Sequence, residues 1–177
     1  MAGDPRLIIR AVRPSEYEIA GELTVEAYRT LSDAGDEAAY ERQLRDIAGR
    51  RDTSEILVAE VGGRVIGCVT FVDGLKALSE VDDPDAATVR MLGVAAEARG
   101  RGVGEALTRA CIDRARQSGR KRVRLHTRPS MTSAQRLYER LGFRRDPDHD
   151  YSPAPGILLL GYVLDLSPSA AQLIRSR

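Results

Sequence analysis

The chain has 177 residues, of which 42% are hydrophobic and 30% charged, and its formal net charge is +1. This length favours a single domain over residues 1–177, with residues 167–177 as a tail. The nearly balanced charge argues against nucleic acid or a membrane surface as a partner. The longest apolar stretch, 157–166, is shorter than the about 20 residues that cross a bilayer.

Only two cysteines occur, Cys68 and Cys111. Their positions match no metal-binding spacing, so we expect no bound metal. Two isolated cysteines in a chain of this composition favour free thiols in a reducing compartment. The expected location is therefore the cytoplasm.

Apolar periodicity and turn residues predict alternating strands and helices. The first half begins with a strand at 7–12 and a helix from Pro14, whose apolar face would be Ile19, Leu23, Ala27 and Leu31. A second helix, with Tyr40, Leu44 and Ile47 on one face, ends at Gly49. Strands at 55–61 and 64–72 follow. The second half holds a strand at 89–94, a helix from 103 to near Gly119, a strand at 122–127, a helix from Pro129 to Gly142, and strands near Phe143 and at 157–166. Gly62-Gly63 between two β-branched runs predicts a two-residue hairpin. This order indicates a mixed α/β sheet with helices on both faces.

The segment Arg99-Gly100-Arg101-Gly102-Val103-Gly104 joins a predicted strand to a predicted helix. Glycines at alternate positions allow the backbone to approach a ligand closely, because no Cβ stands in the way. The helix that follows offers unpaired N–H groups and the positive end of its dipole, which favour an anion. Two arginines add donors suited to phosphate. The segment therefore predicts a cradle for a phosphate-bearing ligand.

Two common glycine motifs do not match this segment. The dinucleotide-binding fingerprint needs a third glycine three residues after the second, where Glu105 stands, and begins directly after its strand. The Walker A loop ends in Gly-Lys-Ser/Thr, and the chain has no such triplet. A different phosphate-bearing ligand is expected.

A second segment, Ala134–Phe143, reads A-x-x-L-Y-x-x-x-G-F. Together with R-x-x-G-x-G at Arg99–Gly104, it resembles the GNAT superfamily of N-acetyltransferases, in which one strand also separates the two motifs. The resemblance implies the α/β GNAT fold: a mixed, mostly antiparallel sheet of about six to seven strands, helices on both faces, and a central splay that holds CoA. It also implies acetyl-CoA as acyl donor.

The resemblance assigns the donor site residue by residue. Backbone N–H groups of the glycine loop would hold the CoA pyrophosphate, and the strand before it would pair with the pantetheine arm. An N–H near Gly93 or Val94 would stabilise the oxyanion, and Tyr138 would be the acid that protonates the leaving thiolate. The full set of expected donor-binding positions is Leu92, Gly93, Val94, Arg99, Gly100, Arg101, Gly102, Val103, Gly104, Ala134 and Tyr138.

The group that removes the amine proton stays open. Many family members carry a glutamate on the strand before the glycine loop, but Thr88 stands at the outward position here and cannot serve. Glu80 and Asp85, directly or through water, are the candidates in the acidic loop that also holds Asp82 and Asp83. The plain interpretation of that loop is a solvated acidic surface.

The remaining candidate positions are expected to have ordinary structural roles. Met131 stands where many relatives carry an asparagine that bonds the pantetheine amide, so that contact must come from elsewhere. His126 and His149 lie near the expected acceptor side, but an ordinary polar role is favoured for each. The cations between Arg114 and Arg124 are interpreted as a solvated face rather than a nucleic-acid surface.

The sequence thus predicts an N-acetyltransferase that moves acetyl from acetyl-CoA to a primary amine by direct attack in a ternary complex. The alternative is a catalytically silent, acyl-CoA-binding sensor or regulatory module, which Thr88 and Met131 keep open. The acceptor, a small molecule or a protein amine, is not identified. A homodimer and acyl donors other than acetyl-CoA also stay open.

Overall fold

A computed structural model describes residues 6–29, 37–76, 82–154 and 156–167. Its strands are β1 (Ile8–Ala11), β2 (Glu55–Val61), β3 (Arg64–Asp73), β4 (Ala86–Val94), β5 (Arg122–Thr127), β6 (Arg144–Arg145), β7 (Tyr151–Ala154) and β8 (Ile157–Asp165). Its helices are α1 (Tyr17–Tyr28), α2 (Glu37–Arg45), α3 (Ile47–Arg50), α4 (Val103–Gln117) and α5 (Thr132–Arg140). The expected tail and Glu80 lie outside the described residues, apart from Ser167.

The strands form one sheet in the order β1-β2-β3-β4-β5-β8-β6, and β7 pairs with β8. Only β4 and β5 run parallel, while the other pairs are antiparallel. This confirms the mixed, mostly antiparallel α/β sheet. The described residues form eight strands rather than six to seven. The additional one, β7, has four residues and includes Pro153, so it carries little strand signal.

The hairpin predicted at Gly62-Gly63 is confirmed. Both glycines have positive φ, 58° and 79°, and the flanking residues Val61 and Arg64 pair directly. Positive φ at both central positions is the type I′ geometry, whose twist matches that of the strands it joins. The turn therefore fixes the register of β2 against β3.

Helices cover both faces of the sheet, as predicted. On one face α4 buries Leu107, Cys111 and Ala115 completely against Val69 and Leu125. On the other face a second cluster joins α1 and α3 to the sheet through Ala20, Ile47, Ile56, Val58 and Cys68. Both cysteines are buried free thiols. Among the described residues, no helix is long and apolar enough to cross a membrane.

The face predicted for the first helix is only partly right, because Leu23 packs against the core but Ile19 does not. Ile19 is 44% exposed, and the buried positions are Ala20, Gly21, Thr24 and Val25. Small residues are needed there because α2 crosses α1 closely. A Cβ on Gly21 would lie 2.6 Å from the backbone oxygen of Arg45. Close packing of backbones thus decides the orientation of α1. The fourth residue of the predicted face, Leu31, lies outside the described residues.

The second predicted helix is two helices. The chain bends at Asp46, whose Oδ1 accepts a hydrogen bond from the Gly49 N–H at 2.8 Å and so begins α3. Leu44 and Ile47, on either side of the bend, are both 1% exposed. Helical spacing of apolar residues does not reveal this bend, because Leu44 and Ile47 are both buried, although in different clusters.

Strand β4 contains a bulge. Cys68 pairs with Gly93 and Thr70 with Arg90, so two residues of β4, Met91 and Leu92, face one residue of β3. Met91 has a φ of 53°, the left-handed region that a residue with a Cβ rarely adopts. The extra residue bends the strand at this point.

Strands β4 and β5 separate beyond the bulge. Their parallel pairing ends at Val89 and Leu125, although β4 continues to Val94 and β5 to Thr127. This opening is the splay that the sequence predicts at the centre of the sheet.

Candidate functional site

The glycine loop lies exposed at the start of α4. Gly100 and Gly102 have φ values of 76° and 78°, and a Cβ built on either would meet nothing within 4 Å. Gly102 is the N-cap of α4, and as a glycine it offers no side chain to the first N–H groups of the helix. No side chain of the N-cap therefore covers these donors, and uncapped N–H groups at a helix start can bind an anion.

Three elements converge at Gly104. A Cβ built there would lie 3.5 Å from Leu137 Cδ2, 3.7 Å from Leu92 Cδ2 and 3.8 Å from Val94 Cγ2. The start of α4, the end of β4 and the middle of α5 therefore meet at one point. The structure thus brings together the glycine loop, the α5 motif and the end of β4. These are the three segments that were expected to hold the donor.

The backbone of Val94 faces the splay. Ala95 N donates to Ile66 O of β3 at 2.9 Å, and the polar groups of successive strand residues point in opposite directions. Those of Val94 therefore point away from β3, where Arg99 Nε donates to Val94 O at 3.3 Å. Of the two N–H groups expected at the oxyanion, that of Val94 lies on the open side.

Gly93 has a packing role. It pairs with Cys68, so its backbone faces β3 rather than the splay. A Cβ built on Gly93 would lie 2.8 Å from the backbone oxygen of Leu23 in α1. The absence of a side chain at Gly93 therefore allows α1 to pack directly on β4.

Tyr138 is buried beside the splay. It is 6% exposed, and its ring centroid lies 5.8 Å from that of Phe143 and 6.3 Å from that of Tyr162. Burial raises the pKa of the Tyr138 hydroxyl above its usual range, with a smaller contribution from Cys111. Ala134, one turn earlier on α5, packs against the same cluster. Tyr138 is therefore held as a neutral phenol.

Sequence reasoning did not single out Thr127. It ends β5 at the splay and is 4% exposed, yet its Oγ1 has no hydrogen-bond partner among the described residues. An unpaired buried hydroxyl is costly and invites a ligand as its partner. A signal was nevertheless available in the sequence. Thr127 continues the alternation of Val123 and Leu125, which are buried in the core, but carries a hydroxyl instead of an apolar side chain.

The sheet face opposite α4 carries a charged network. On β5, Arg124 pairs in register with Thr88 of β4. Its Nε donates to Asp83 Oδ2 at 3.0 Å, and its Nη1 donates to Asp146. Asp83 also accepts from Arg122 Nε at 2.9 Å. These two guanidinium groups, Arg122 first, hold the pKa of Asp83 well below its usual range.

The acidic candidates for the amine proton lie elsewhere. Asp85 accepts a hydrogen bond from Lys121 Nζ at 3.0 Å, just before β4 begins. A strand rises about 3.3 Å per residue, so Asp85 and Leu92 are separated by about 20 Å along β4. Asp85 is therefore too far from the convergence at Gly104 to act there directly, and Glu80 lies outside the described residues.

The basic run of α4 and β5 is neutralised. Every one of its six cations has a carboxylate oxygen within 4 Å. The pairs are Arg114–Glu55, Arg116–Asp113, Arg120–Asp73, Lys121–Asp85, Arg122–Asp83 and Arg124–Asp83. A nucleic-acid surface needs cations that are available to phosphates, so this pairing argues against one. The solvated face that the sequence predicts does not extend to Arg124, which is buried.

A polar groove of about 850 Å³ lies at the other end of α4, lined by residues that include Arg51, Lys76, Arg114 and Gln117. It does not include the glycine loop or Tyr138. In the part of the chain that the structure describes, no group of three or more His, Cys, Asp or Glu side chains could hold a metal ion.

Residues 18–143 match the family model of the Acetyltransferase (GNAT) family. A mycothiol acetyltransferase of Sanguibacter keddieii is 30% identical over 142 residues, which cover 80% of this chain and 44% of that protein. The chain spans less than half the length of the mycothiol acetyltransferases that it matches over most of its own length.

Solved structures share the fold. An acetyltransferase of the GNAT family from Staphylococcus aureus Mu50 superposes with a TM-score of 0.72 at 16% identity, covering 92% of this chain and 100% of that one. The Salmonella typhimurium protein yncA, solved with its cofactor acetyl-CoA, superposes with a TM-score of 0.65 at 20% identity, covering 94% and 97%.

Replacing Asp83 by Asn tests the charged network. Asp83 and Arg124 have side chains only 10% and 11% exposed, so we expect the free energy of unfolding to fall by about 2 kcal/mol at pH 7. Because the folded-state pKa is depressed, the stabilisation is present above the unfolded pKa of about 4 and is lost as the pH falls below it. Urea unfolding at pH 7 and at stepwise lower pH measures this.

The matched control is Asp113→Asn, which breaks the exposed pair with Arg116. It should change the free energy of unfolding by less than about 0.5 kcal/mol. Equal effects of the two substitutions at pH 7 would contradict the assignment.

Proposed function

Because the chain belongs to the GNAT acetyltransferase family, we propose that it transfers acetyl from acetyl-CoA directly to a primary amine in a ternary complex. The observation that carries the proposal is the convergence at Gly104 of the α4 N-terminus, the splay-facing end of β4 and the helix of Tyr138. The proposed pyrophosphate site, a main-chain edge and the helix that carries the proposed proton donor would thus lie side by side.

The glycine loop suits the CoA pyrophosphate. Its first helical N–H groups lack a capping side chain, and Arg99 and Arg101 are exposed and in no ion pair with the described residues. The cations between Arg114 and Arg124 are all paired, whereas Arg99 and Arg101 lie beside the uncapped start of α4 and are available to an anion. Residues Arg99, Gly100, Arg101, Gly102, Val103 and Gly104 would hold the phosphates.

The splay suits the pantetheine arm and the thioester. Backbone groups of Leu92 and Val94 that β5 does not reach would pair with the amides of the arm. The Val94 N–H would donate to the oxygen of the thioester carbonyl as negative charge develops there. The unpaired Thr127 hydroxyl supplies one further polar contact, in place of the asparagine that Met131 replaces.

Tyr138 would give its proton to the departing thiolate. A thiol of pKa about 8.5 is a poor match for a phenol of about 10 in water. Burial raises both values, because the thiolate is also an anion that loses its solvation in the same cleft. Both groups share this apolar environment. The difference between their pKa values is therefore smaller than the raised pKa of Tyr138 alone indicates.

The cysteines support direct attack. Cys68 and Cys111 are 1% and 0% exposed, and burial raises the pKa of both thiols, that of Cys111 to about 12. Neither would form the thiolate that a covalent acetyl-enzyme requires. Two reduced thiols also agree with a cytoplasmic location.

The direct test is thiol release. Purified protein with acetyl-CoA and a panel of amino acids, polyamines, amino sugars and peptides with free amines should release CoA with at least one acceptor. Acetyl-CoA binding without release over the whole panel would favour the silent CoA-binding module instead. Mass spectrometry of the products identifies the acetylated amine.

Gly102→Ala tests the loop. The new Cβ enters the cradle at a φ of 78°, and we expect KM for acetyl-CoA to rise about tenfold or more. Gly119→Ala is the matched control, since it has a φ of 70°, open surroundings and a place at the other end of α4. Both variants should lose about 1 kcal/mol of stability, but only Gly102→Ala should lose donor affinity. A parallel rise of KM in both would refute the loop assignment.

Tyr138→Phe tests the acid. We expect kcat to fall about 100-fold or more while the Kd for acetyl-CoA changes little, because only the transferred proton is removed. Tyr162→Phe is the control for loss of a buried hydroxyl in the same aromatic cluster. Turnover by Tyr138→Phe equal to that by Tyr162→Phe would rule the role out.

A further inference from the structure

Arg50 is a buried cation. It is the last residue of α3 and is 5% exposed, whereas the side chain of the adjacent Arg51 is 54% exposed. Arginine is seldom buried without a carboxylate, because its charge loses the solvation that water provides. Among the described residues, no carboxylate oxygen lies within 4 Å of the Arg50 guanidinium. This buried charge therefore has no counter-ion in the part of the chain that the structure describes.

One nitrogen of Arg50 binds two backbone carbonyls. Nη1 donates to Gln43 O at 2.6 Å and to Leu44 O at 2.8 Å, and these carbonyls lie at the end of α2, where they have no partner inside the helix. Nε is completely buried and has no hydrogen-bond partner. Nη2 also donates to none of the described residues, but it is not completely buried. A cap for α2 therefore accounts for Nη1 and not for the other two nitrogens.

Nε and Nη2 form the edge of the guanidinium that fits a carboxylate. Their N–H bonds point in parallel, so each can donate to one carboxylate oxygen. The protein uses this edge elsewhere. Arg122 donates from Nε to Asp83 Oδ2 at 2.9 Å and from Nη2 to Asp83 Oδ1 at 3.0 Å. Arg50 thus holds, in a buried place, the same pair of donors that Arg122 uses to bind Asp83.

The surroundings of Arg50 favour an anion at this edge. Burial is the main cause that lowers the pKa of Arg50, and the positive charge of Arg90 acts in the same direction. Asp46 acts in the opposite direction, but its Oδ1 accepts the Gly49 N–H at 2.8 Å rather than a hydrogen bond from Arg50. Opposite charges attract strongly where water is excluded, so a bound anion would offset the cost of burying this cation.

We infer that Arg50 binds a carboxylate group of a small ligand through Nε and Nη2, on the sheet face away from α4. A carboxylate has one charge and two coplanar oxygens, which this edge satisfies with two parallel hydrogen bonds. A phosphate has more oxygens and up to two charges, which a single buried guanidinium does not satisfy. The incompletely buried Nη2 is the side from which the ligand reaches the edge.

The edge lies near the bulge of β4. The Leu44 carbonyl is bound by Nη1, and the Leu44 side chain packs in one cluster with Met91. Ile47 of α3 packs with Cys68, which pairs with Gly93 beyond the bulge. On the basis of the proposed acetyl transfer, an acceptor amine that carries a carboxylate is one source of this group. A separate effector is the other.

Thermal unfolding of the full chain tests the site with acetate as the probe. Sodium acetate at about 100 mM should raise the Tm of wild type by about 3 °C above its value in sodium chloride of equal ionic strength. Acetamide, which has no charge, should not raise it. Arg50→Met should lose the acetate shift, whatever its own Tm. Arg51→Met is the matched control, since Arg51 is exposed and donates to Tyr17 Oη at 2.8 Å, and it should keep the shift.

Arg50→Lys replaces Arg50→Met if the latter does not fold, because lysine keeps the charge but offers no parallel pair of N–H groups. It should lose the acetate shift as well. In wild type, the NMR signal of the Arg50 Nε–H should move with acetate and not with chloride. The inference is overturned if wild type shows no acetate shift, if Arg50→Lys keeps it, or if the Nε–H signal does not move. A larger Arg50-dependent shift with inorganic phosphate than with acetate also overturns it.

A second arm identifies the source of the carboxylate. CoA release is compared for an amino acid and its amide, such as glycine and glycinamide. If the acceptor carries the carboxylate, the ratio of their kcat/KM values should be about 100 in wild type and should fall at least tenfold in Arg50→Lys. The same ratio in both proteins, together with the acetate shift, assigns the carboxylate to an effector. Absence of CoA release with every amine contradicts the proposed acetyl transfer, whereas the acetate shift decides the carboxylate site by itself.

Discussion

The limited pairing of β4 with β5 is the constraint on which the rest of the structure depends. The two strands share only the positions from Ala86 to Val89, after which the extra residue at Met91 bends β4 while keeping it paired with β3. A sheet interrupted at its centre leaves backbone groups without a partner strand, and such groups need another partner. The α4 and α5 helices pack on one face of the sheet, and the start of α4 meets Leu137 of α5 and the end of β4. The proposed donor site would therefore be a consequence of an incomplete sheet.

The two faces of the splay are built in different ways. On the donor face, Gly100 and Gly102 adopt positive φ and leave open space for a ligand. On the other face, Gly93 and Gly161 are required because backbone from α1 and from the segment 146–150 lies where a Cβ would be. The proposed donor face is thus shaped by local conformation, whereas the opposite face is shaped by close approach of segments distant in sequence. Changes in those segments alter the opposite face without disturbing the donor loop.

This difference explains how much the sequence could predict. The hairpin at Gly62-Gly63, α4 and the glycine loop follow from residues adjacent in the chain, and they were predicted. Burial of Ala20 rather than Ile19 depends on the approach of α2, and the bulge at Met91 depends on the register of β3, so neither leaves a local signal. The contact between His126 Nε2 and the His149 carbonyl leaves no local signal for the same reason. It depends on a carbonyl 23 residues away that reaches the ring only because position 161 is a glycine.

Charged side chains are paired to different extents in the regions proposed for the two halves of the reaction. Cations between Arg114 and Arg124 are neutralised by carboxylates, so they neither attract polyanions nor repel a cationic acceptor strongly. Arg99 and Arg101, exposed beside an uncapped helix N-terminus, keep the positive charge that a pyrophosphate needs. An amine that approaches from the opposite face meets Arg124 with its charge already balanced by Asp83 and Asp146.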